Sequence, residues 1–341
     1  MLACICRASI TFARTPQTDF RKPMTKITEH IRHASGKTLF SFEIIPPLKG
    51  ESIQTLFDGI EPLMEFKPPF IDVTYHREEV IDKKHPGGLL EKVAVRKRPG
   101  TVGICSRIME RFRVDAVPHM ICGGFTRDEC EDMLVDLHYL GIDNVLVLRG
   151  DPEKSVGVFR ARDNGHAYAS DLLKQVMDMN KGLLLHQETE TYPTDFCTGV
   201  AGYPEKHFEA PNLETDFKHL KMKADMGAEF IVTQMFFNNQ KYFDFVNRCR
   251  EFGITIPIIP GLKPLTTRKQ LTVLPRIFHL DLPDDLVKAV ESCPTDKDVK
   301  QVGIDWCVQQ CKELVAFGVP VLHFYTMSKS DPVKAIASAI F

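Results

Sequence analysis

The sequence lacks the features that mark several broad classes of protein. Its 341 residues carry 43 basic and 45 acidic side chains, a formal net charge of −2, and no basic run with interleaved aromatic residues. This balance gives no reason to expect a nucleic-acid partner. The longest apolar runs, FIVTQMFF and ITIPIIPGL, have the length of strands and fall short of a transmembrane helix. We therefore expect a soluble globular protein that binds neither nucleic acid nor membrane.

Metal-binding patterns are missing as well. The ten cysteines are scattered, and the close pairs Cys4/Cys6 and Cys307/Cys311 have no second pair at metal-binding spacing. No H-x-H or H-E-x-x-H spacing supports a metal site. We expect no metal, and we interpret the cysteines as reduced and mostly buried in a cytoplasmic enzyme.

Residues 1–23 differ in composition from the rest of the chain. They hold four basic side chains against one acidic side chain, together with serine and threonine, a composition that resembles a transit peptide. The alternative is an over-long start with Met24 as the true initiator, which we favour because a helical pattern begins directly after Met24. We expect residues 1–23 to be a disordered or non-native extension and residues 24–341 to form a single catalytic domain.

A pattern of amphipathic helix, glycine and apolar run recurs along the chain. Gly141, Gly227, Gly253 and Gly318 each follow a helical pattern, at the position where a positive φ suits glycine. Apolar runs typical of parallel strands covered on both faces lie at residues 38–45, 70–75, 116–121, 144–149, 198–203, 229–235, 256–260 and 320–325. This alternation predicts an α/β fold, one (β/α)8 TIM barrel with additional helices. A doubly wound sheet is the alternative, but no G-x-G-x-x-G follows the first strand.

Polar and aromatic residues end nearly every predicted strand, where a barrel keeps its active site. They are Glu43, Thr74 to His76, His119, Arg149 to Asp151, Tyr203 to His207, Gln234 and Tyr325. Each alone has an ordinary structural interpretation, since His119 could be a satisfied core histidine and Arg149 with Asp151 an ion pair. The chain has neither a P-loop nor a G-x-S-x-G motif. The residues alone therefore predict a barrel enzyme that acts on a polar or charged organic substrate by acid–base chemistry.

Eight segments, taken in order, resemble the methylenetetrahydrofolate reductases. They are FSFEIIPP, DVTY, VPHMIC, LVLRGDP, AGYPEKH, VTQMFF, IPIIPGL and HFYT. The similarity runs from about Thr38 to the C-terminus, and because the chain ends just after its eighth βα unit it resembles the short bacterial form, without the C-terminal regulatory domain of larger members.

The resemblance implies a flavoprotein oxidoreductase of one-carbon metabolism and methionine biosynthesis that binds FAD without a Rossmann motif. NADH or NADPH would reduce the FAD and leave, and methylenetetrahydrofolate would then bind over the same flavin face and become methyltetrahydrofolate, in ping-pong fashion. Family members form dimers or tetramers, so the resemblance also implies a homodimer or homotetramer.

The resemblance assigns catalytic roles to three residues. Glu43 matches the general acid, which would protonate the folate so that its five-membered ring opens to an iminium cation. Burial at an apolar strand tip would raise the pKa of this carboxyl group, as the role requires. Asp151 matches an acid beside the flavin and the folate. Gln234 matches an amide that contacts folate and nicotinamide in turn, since an amide both donates and accepts.

Binding residues follow from the same resemblance. The implied FAD contacts are Thr74, Tyr75, His119, Arg149, Gly150, Asp151, Ala169, Tyr203, His207, Ala210, Asp216, His219 and Lys223. The implied folate contacts are Gln234, Gln270, Tyr325 and Lys329. His219 and Met222 stand where asparagine and arginine are usual in enteric bacterial members, and we expect His219 or Arg77 to compensate for Met222, which cannot bind phosphate. Ser170 is expected to cap the helix that follows Ala169.

Other functions stay open at this point. A FAD barrel of the proline dehydrogenase type is disfavoured because the motifs of that group are missing. A folate-binding homologue without catalysis is disfavoured because Glu43, Asp151 and Gln234 are intact. A subunit that takes electrons from an iron–sulfur partner would need that partner to be a separate protein, since the cysteines hold no cluster pattern.

Overall fold

A computed structural model describes residues 24–152, 157–189, 191–327 and 329–341. The helices in these ranges are α1 Ile27–His33, α2 Ile53–Ile60, α3 Thr101–Phe112, α4 Arg127–Tyr139, α5 Ala169–Met179, α6 Leu213–Met226, α7 Asn239–Glu251, α8 Gln270–Phe278, α9 Asp284–Glu291, α10 Asp296–Phe317 and α11 Ser330–Ser338. A 3₁₀ helix spans Glu61–Phe66. The strands are β1 Leu39–Ile44, β2 Phe70–Val73, β3 Glu79–Lys84, β4 Leu90–Val95, β5 Asp115–Ile121, β6 Asn144–Leu148, β7 Cys197–Gly202, β8 Phe230–Thr233, β9 Ile258–Ile259, β10 Gly261–Leu262 and β11 Val321–Tyr325. The expected extension, residues 1–23, lies outside the described residues.

Nine of these strands form one sheet, in the order β10-β11-β1-β2-β5-β6-β7-β8-β9. Strands β9 and β10 are two halves of one barrel strand, separated by Pro260, which has no N–H to donate to the ladder. Each of the eight strand positions of the barrel wall is called a stave below. The first half pairs with β8 and the second with β11, both in parallel, so this stave joins the two ends of the sheet. The predicted (β/α)8 barrel is confirmed, and each predicted strand agrees with its stave to within two residues at either end.

Local sequence signals account for the helix ends. The Thr126 hydroxyl accepts a hydrogen bond from the Glu129 N–H at 3.2 Å, and the Glu129 carboxylate accepts one from the Thr126 N–H at 2.8 Å. This reciprocal pair is a capping box, which satisfies two N–H groups that the helix leaves free. Gly141, Gly227, Gly253 and Gly318 have φ values of +69°, +124°, +73° and +89°, as predicted for helix C-termini. The expected cap at Ser170 was wrong, because α5 already begins at Ala169, with Tyr168 as its N-cap residue.

Helix α1 covers the amino end of the barrel. Its Ile27 is fully buried and packs with inward-facing apolar side chains, among them Phe70 and Phe230. The Ile27 N–H donates to the Asn144 side-chain oxygen at 3.0 Å, which fixes the helix to the start of β6. A larger apolar layer lies between the strands and the surrounding helices. Since the amino half of the barrel is filled with apolar groups, polar chemistry is left to the carboxyl end.

Strands β3 and β4 form an antiparallel hairpin that the sequence did not predict. The hairpin lies in the long connection after β2, and every residue of β3 is exposed. Val80, Ile81, Leu89 and Leu90 are exposed large apolar side chains of the hairpin. The connection therefore extends from the carboxyl end of the barrel as a separate two-stranded element.

Among the described residues, each of the eight cysteines is free and buried, in agreement with the prediction for this part of the chain. Within the same ranges, no helix is long and apolar enough to cross a membrane.

Candidate active site at the carboxyl end of the barrel

Glu43 lies near the end of β1, with its side chain 12% exposed. Its neighbours across the sheet are Asp72 on β2 and Tyr325 on β11. The pKa of Glu43 is raised to about 7: burial raises it most, His119 opposes the rise, the charge of Asp72 adds to it, and Lys263 opposes it. A carboxyl group in this state holds a proton at neutral pH for about half of the time, so it can act as an acid.

His119, on β5, stands between two carboxyl groups. Its Nε2 atom lies 3.5 Å from Glu43 Oε2 and 3.5 Å from Asp72 Oδ2. Burial lowers the pKa of His119, but the contact with Asp72 and the charge of Glu43 outweigh this effect, so the pKa is raised. Asp72 is 1% exposed, and neither of its oxygens accepts a hydrogen bond from the described residues.

A second buried polar pair lies on the neighbouring staves. Ser41 Oγ is 2.8 Å from His323 Nδ1, and both residues are fully buried. Burial lowers the pKa of His323, the charge of Asp72 raises it, and His119 lowers it further. A buried polar layer therefore crosses the interior of the barrel from β11 to β5, and Glu43 lies at its edge.

Lys263 directly follows β10 and faces the same space. Burial lowers its pKa to about 8, while the charge of Glu43 raises it and Lys329 lowers it. The Tyr325 hydroxyl donates to the Thr233 carbonyl at 2.6 Å, and burial and the charge of Glu43 raise the pKa of this hydroxyl. Acidic, basic and phenolic groups from four staves therefore meet at one end of the barrel.

Asp72 and Lys263 were missed from the sequence. Asp72 sits inside the short apolar run FIDV, yet it is two residues from Phe70 and Thr74 and so shares their face of the strand. That alternation is a signal that could have identified it. Lys263 lies three residues beyond the predicted end of its strand, because the stave continues past Pro260.

Several of the implied FAD contacts lie together at the ends of β6 and β7 and on α6. Arg149 Nη1 is 2.5 Å from Glu209 Oε2, and its guanidinium lies 5.0 Å from the Phe159 ring centre. The Tyr203 and His207 rings are 4.7 Å apart and edge-on. Burial lowers the pKa of His207.

Helix α6 directs two more of these residues inward. The Asp216 carboxylate accepts a hydrogen bond from the His207 N–H at 2.8 Å. Lys223 donates to the Ala201 carbonyl at 3.1 Å, and burial lowers its pKa to about 8. Tyr203, Asp216 and Lys223 line one small cavity between β7 and α6. His219 and Met222 lie on the exposed side of the helix, so the structure does not bring His219 into this cavity.

The positions after β2 and β5 are close to one another. The Thr74 hydroxyl is 3.0 Å from His76 Nε2, and the Tyr75 ring packs 4.9 Å from the Phe125 ring. The Arg77 side chain lies beside Gly123 and Gly124, where an added Cβ would come within 3.6 Å and 3.4 Å of it. Its predicted compensation for Met222 stays a prediction.

The remaining predicted residues have varied surroundings. Asp151 is exposed at the end of β6, and its charge acts on His76 and Tyr203. The Gln234 side-chain oxygen accepts from the Met235 N–H at 2.9 Å. Gln270 accepts from the Thr266 N–H at 2.6 Å and thereby closes the turn before α8.

Three more of the predicted residues are described by their backbone positions and neighbours. Ala169 is the first residue of α5. Ala210 is buried, and its carbonyl accepts from Lys206 Nζ at 2.5 Å. Lys329 is exposed at the N-cap of α11, close enough to Lys263 to lower the pKa of that lysine.

The fold and the site together define a class of protein, the (β/α)8 barrel enzymes with a buried carboxylic acid at a strand tip and a second, cationic and aromatic subsite on adjoining staves. The family model of methylenetetrahydrofolate reductase matches residues 26–340. The chain therefore belongs to the methylenetetrahydrofolate reductase family.

Individual relatives agree with this assignment. The 5,10-methylenetetrahydrofolate reductase of Salmonella typhimurium is 30% identical over 315 residues, which cover 92% of this chain and 94% of that protein, as the predicted likeness to the short bacterial form requires. Methylenetetrahydrofolate reductase (NADH) 1 of Arabidopsis thaliana is 31% identical over 315 residues, which cover 89% of this chain and 48% of that protein. The chain thus spans about half the length of the eukaryotic relatives it matches.

A solved structure shares the fold. It is an uncharacterized protein from Clostridium thermocellum that binds two copies of 5-methyl-5,6,7,8-tetrahydrofolic acid. The TM-score is 0.57 at 16% identity, and the match covers 92% of this chain and 97% of that one. At this identity the likeness concerns the barrel itself.

Proposed function

We propose that the chain reduces methylenetetrahydrofolate to methyltetrahydrofolate with electrons from NADH or NADPH, carried by bound FAD and used by the two substrates in turn. Family membership and the names of the Salmonella and Arabidopsis relatives support this reaction. The observation that carries it is Glu43, an acid with a pKa near 7 at the mouth of the barrel.

The residues at the ends of β6 and β7 fit the FAD that this function needs. Gly150 has a φ of +86°, and a Cβ there would lie 3.3 Å from the Ile121 Cβ, so both the backbone conformation and the close packing favour glycine at this position. Arg149 and Lys223 would hold the pyrophosphate through their positive charge, and Tyr203 and His207 would lie against the cofactor. When bound, FAD would carry a hydride from the nicotinamide to the folate.

Glu43 would donate its proton to an amine nitrogen in the five-membered ring of the folate. The C–N bond would then break, and the ring would open to an iminium cation that can accept a hydride. An ionised carboxylate could not supply this proton, so the raised pKa of Glu43 is what makes the step possible near neutral pH. Asp151, exposed at the end of β6, would stabilise the cation by its negative charge. Gln234 would contact nicotinamide and folate in turn.

The test separates the two half-reactions. The purified protein, loaded with FAD, is mixed without oxygen with NADH or NADPH, and the loss of flavin absorbance is followed. Reduced protein is then mixed with methylenetetrahydrofolate, and the return of absorbance is followed. Glu43→Gln should keep the first half-reaction and lose the second, because an amide cannot donate the proton.

Glu229→Gln is the matched control. Glu229 is a half-buried carboxyl group whose pKa is likewise raised by burial, but it lies before β8, at the opposite end of the barrel. This variant should keep both half-reactions. A colourless protein that cannot take up FAD would overturn the proposed cofactor, and survival of both half-reactions in Glu43→Gln would overturn the role of the acid.

A further inference from the structure

Asp72 is the feature of the barrel interior that the proposed reaction leaves unexplained. It lies on β2, 1% exposed, and neither carboxyl oxygen accepts a hydrogen bond from the described residues. A buried carboxylate without a partner is strongly destabilising, so such groups are normally paired with a positive charge. Among the described residues, the basic group that pairs with it is His119, whose Nε2 lies 3.5 Å from Asp72 Oδ2.

The same nitrogen of His119 also faces Glu43. The distance from Nε2 to Glu43 Oε2 is 3.5 Å, equal to the distance to Asp72. The three side chains come from three adjacent staves, β1, β2 and β5, so the barrel itself fixes their spacing. His119 therefore connects an inner carboxyl group, which substrate cannot reach, to an outer one at the mouth.

We propose that Asp72 is a positioning residue, whose negative charge keeps His119 protonated so that the imidazolium can stabilise the carboxylate that Glu43 leaves after it donates its proton. The inference rests on the proposed role of Glu43 as the acid. Glu43 loses one proton to the folate amine and regains one from water after the product leaves, while His119 keeps its proton throughout.

Other titratable groups also face this pair. Glu43 is faced by Lys263 after β10 and by Tyr325 on β11. His119 is faced by His76 after β2 and by His323 on β11. All four stay in place when Asp72 is changed, so the change isolates the contribution of the inner carboxylate.

The direction of the effect distinguishes two ways in which Asp72 could act. If Asp72 acts through His119, its loss makes His119 neutral, Glu43 loses its nearby cation, and the pKa of Glu43 rises. If Asp72 acts directly, as a like charge that repels the Glu43 carboxylate, its loss lowers the pKa of Glu43. The lowering of the Glu43 pKa by His119 exceeds the raising by Asp72, which favours the first mode.

The experiment is the pH profile of the folate half-reaction in FAD-loaded Asp72→Asn. The reaction needs protonated Glu43, so the wild-type rate falls as pH rises through about 7. In Asp72→Asn we expect this alkaline limb to move up by roughly one pH unit. We also expect the plateau rate to fall several-fold, because a weaker acid donates more slowly. Flavin reduction by NADH should stay within about twofold of wild type, because it needs no proton from Glu43.

Thr198→Val is the matched control, since it removes another fully buried oxygen that has no hydrogen-bond partner among the described residues. In this variant the alkaline limb of the pH–rate profile should lie at the same pH as in wild type. The inference is overturned if the alkaline limb of the pH–rate profile moves to lower pH in Asp72→Asn or does not move. If Glu43→Gln keeps the alkaline limb, the proposed acid itself has failed, whatever Asp72 does.

A second measurement reads the protonation of His119 directly, and its main result comes from the wild-type protein. In FAD-loaded wild-type protein labelled with ¹⁵N-histidine, NMR should show the His119 ring titrating above 6.5, with the signal assigned by its loss in His119→Gln. In Asp72→Asn it should titrate below 6.5, because burial then acts without the counter-charge. A wild-type His119 that is already neutral at pH 6.5 would contradict the inference.

Discussion

Replacement of Lys223 by methionine should stabilise the protein without FAD and weaken its binding of FAD. Burial lowers the pKa of Lys223 from 10.5 to about 8. Since one pH unit corresponds to about 1.4 kcal/mol, holding the buried ammonium at pH 7 costs the fold on the order of 3 kcal/mol. Asp216 opposes part of this cost by its charge and would lose that cation in the variant. We therefore expect a net gain of about 1–2 kcal/mol in the free energy of unfolding for Lys223→Met.

The sign of the pH dependence follows from the same shift. The lowered pKa means that the cost is fully present below about pH 8 and disappears as pH rises toward 10.5. Urea unfolding of the FAD-free protein at pH 7 and at pH 9.5 should therefore show a larger gain for Lys223→Met at pH 7.

Titration of flavin fluorescence measures the effect on FAD. We expect affinity to fall at least tenfold in Lys223→Met, because the proposed charge-assisted contact with the pyrophosphate would be lost. Lys218→Met, on the exposed side of the same helix, should change stability by less than about 0.5 kcal/mol and leave FAD affinity unchanged. If Lys223→Met loses stability and binds FAD as tightly as wild type, both the buried charge and the cofactor contact have been misassigned.

Three further predictions follow from named contacts. The rate of the wild-type folate half-reaction should fall about tenfold per pH unit well above pH 7, because the raised pKa of Glu43 sets how much of the acid is protonated. A rate that stopped-flow measurements find constant from pH 6 to 9 would refute this. Gly199→Ala should cost about 1–3 kcal/mol in urea unfolding, because the new Cβ would lie 2.2 Å from the Phe230 ring. Gly59→Ala, where nothing lies within 4 Å, is the control and should not destabilise. Tyr325→Phe should cost about 1 kcal/mol, since a β8 carbonyl loses a 2.6 Å hydrogen bond; thermal unfolding unchanged from wild type would show that this bond contributes nothing.

The barrel was predictable because its signals are local. Each strand of the barrel is a short apolar run, and several helices carry their own cap or terminal glycine, as with Thr126 and Gly318. Such signals need only a few neighbouring residues, so they can be found without knowing the fold.

The hairpin of β3 and β4 and the buried polar layer were not predictable in this way. The sequence of β3, EVIDKK, is mostly charged and fully exposed, so its strand conformation depends on pairing with β4. The partners of Asp72 come from other staves, 47 positions along the chain in the case of His119. The resemblance identified Glu43, but its raised pKa depends on burial that only the assembled barrel provides.

The most direct test of the central proposal is the reaction of reduced, FAD-loaded protein with methylenetetrahydrofolate in the absence of oxygen, followed at once by flavin absorbance and by analysis of the folate product. We predict that absorbance returns as one methyltetrahydrofolate forms per flavin in wild type, and that neither event occurs in Glu43→Gln. Reduced wild-type protein that stays bleached and leaves the folate unchanged would contradict the proposed function.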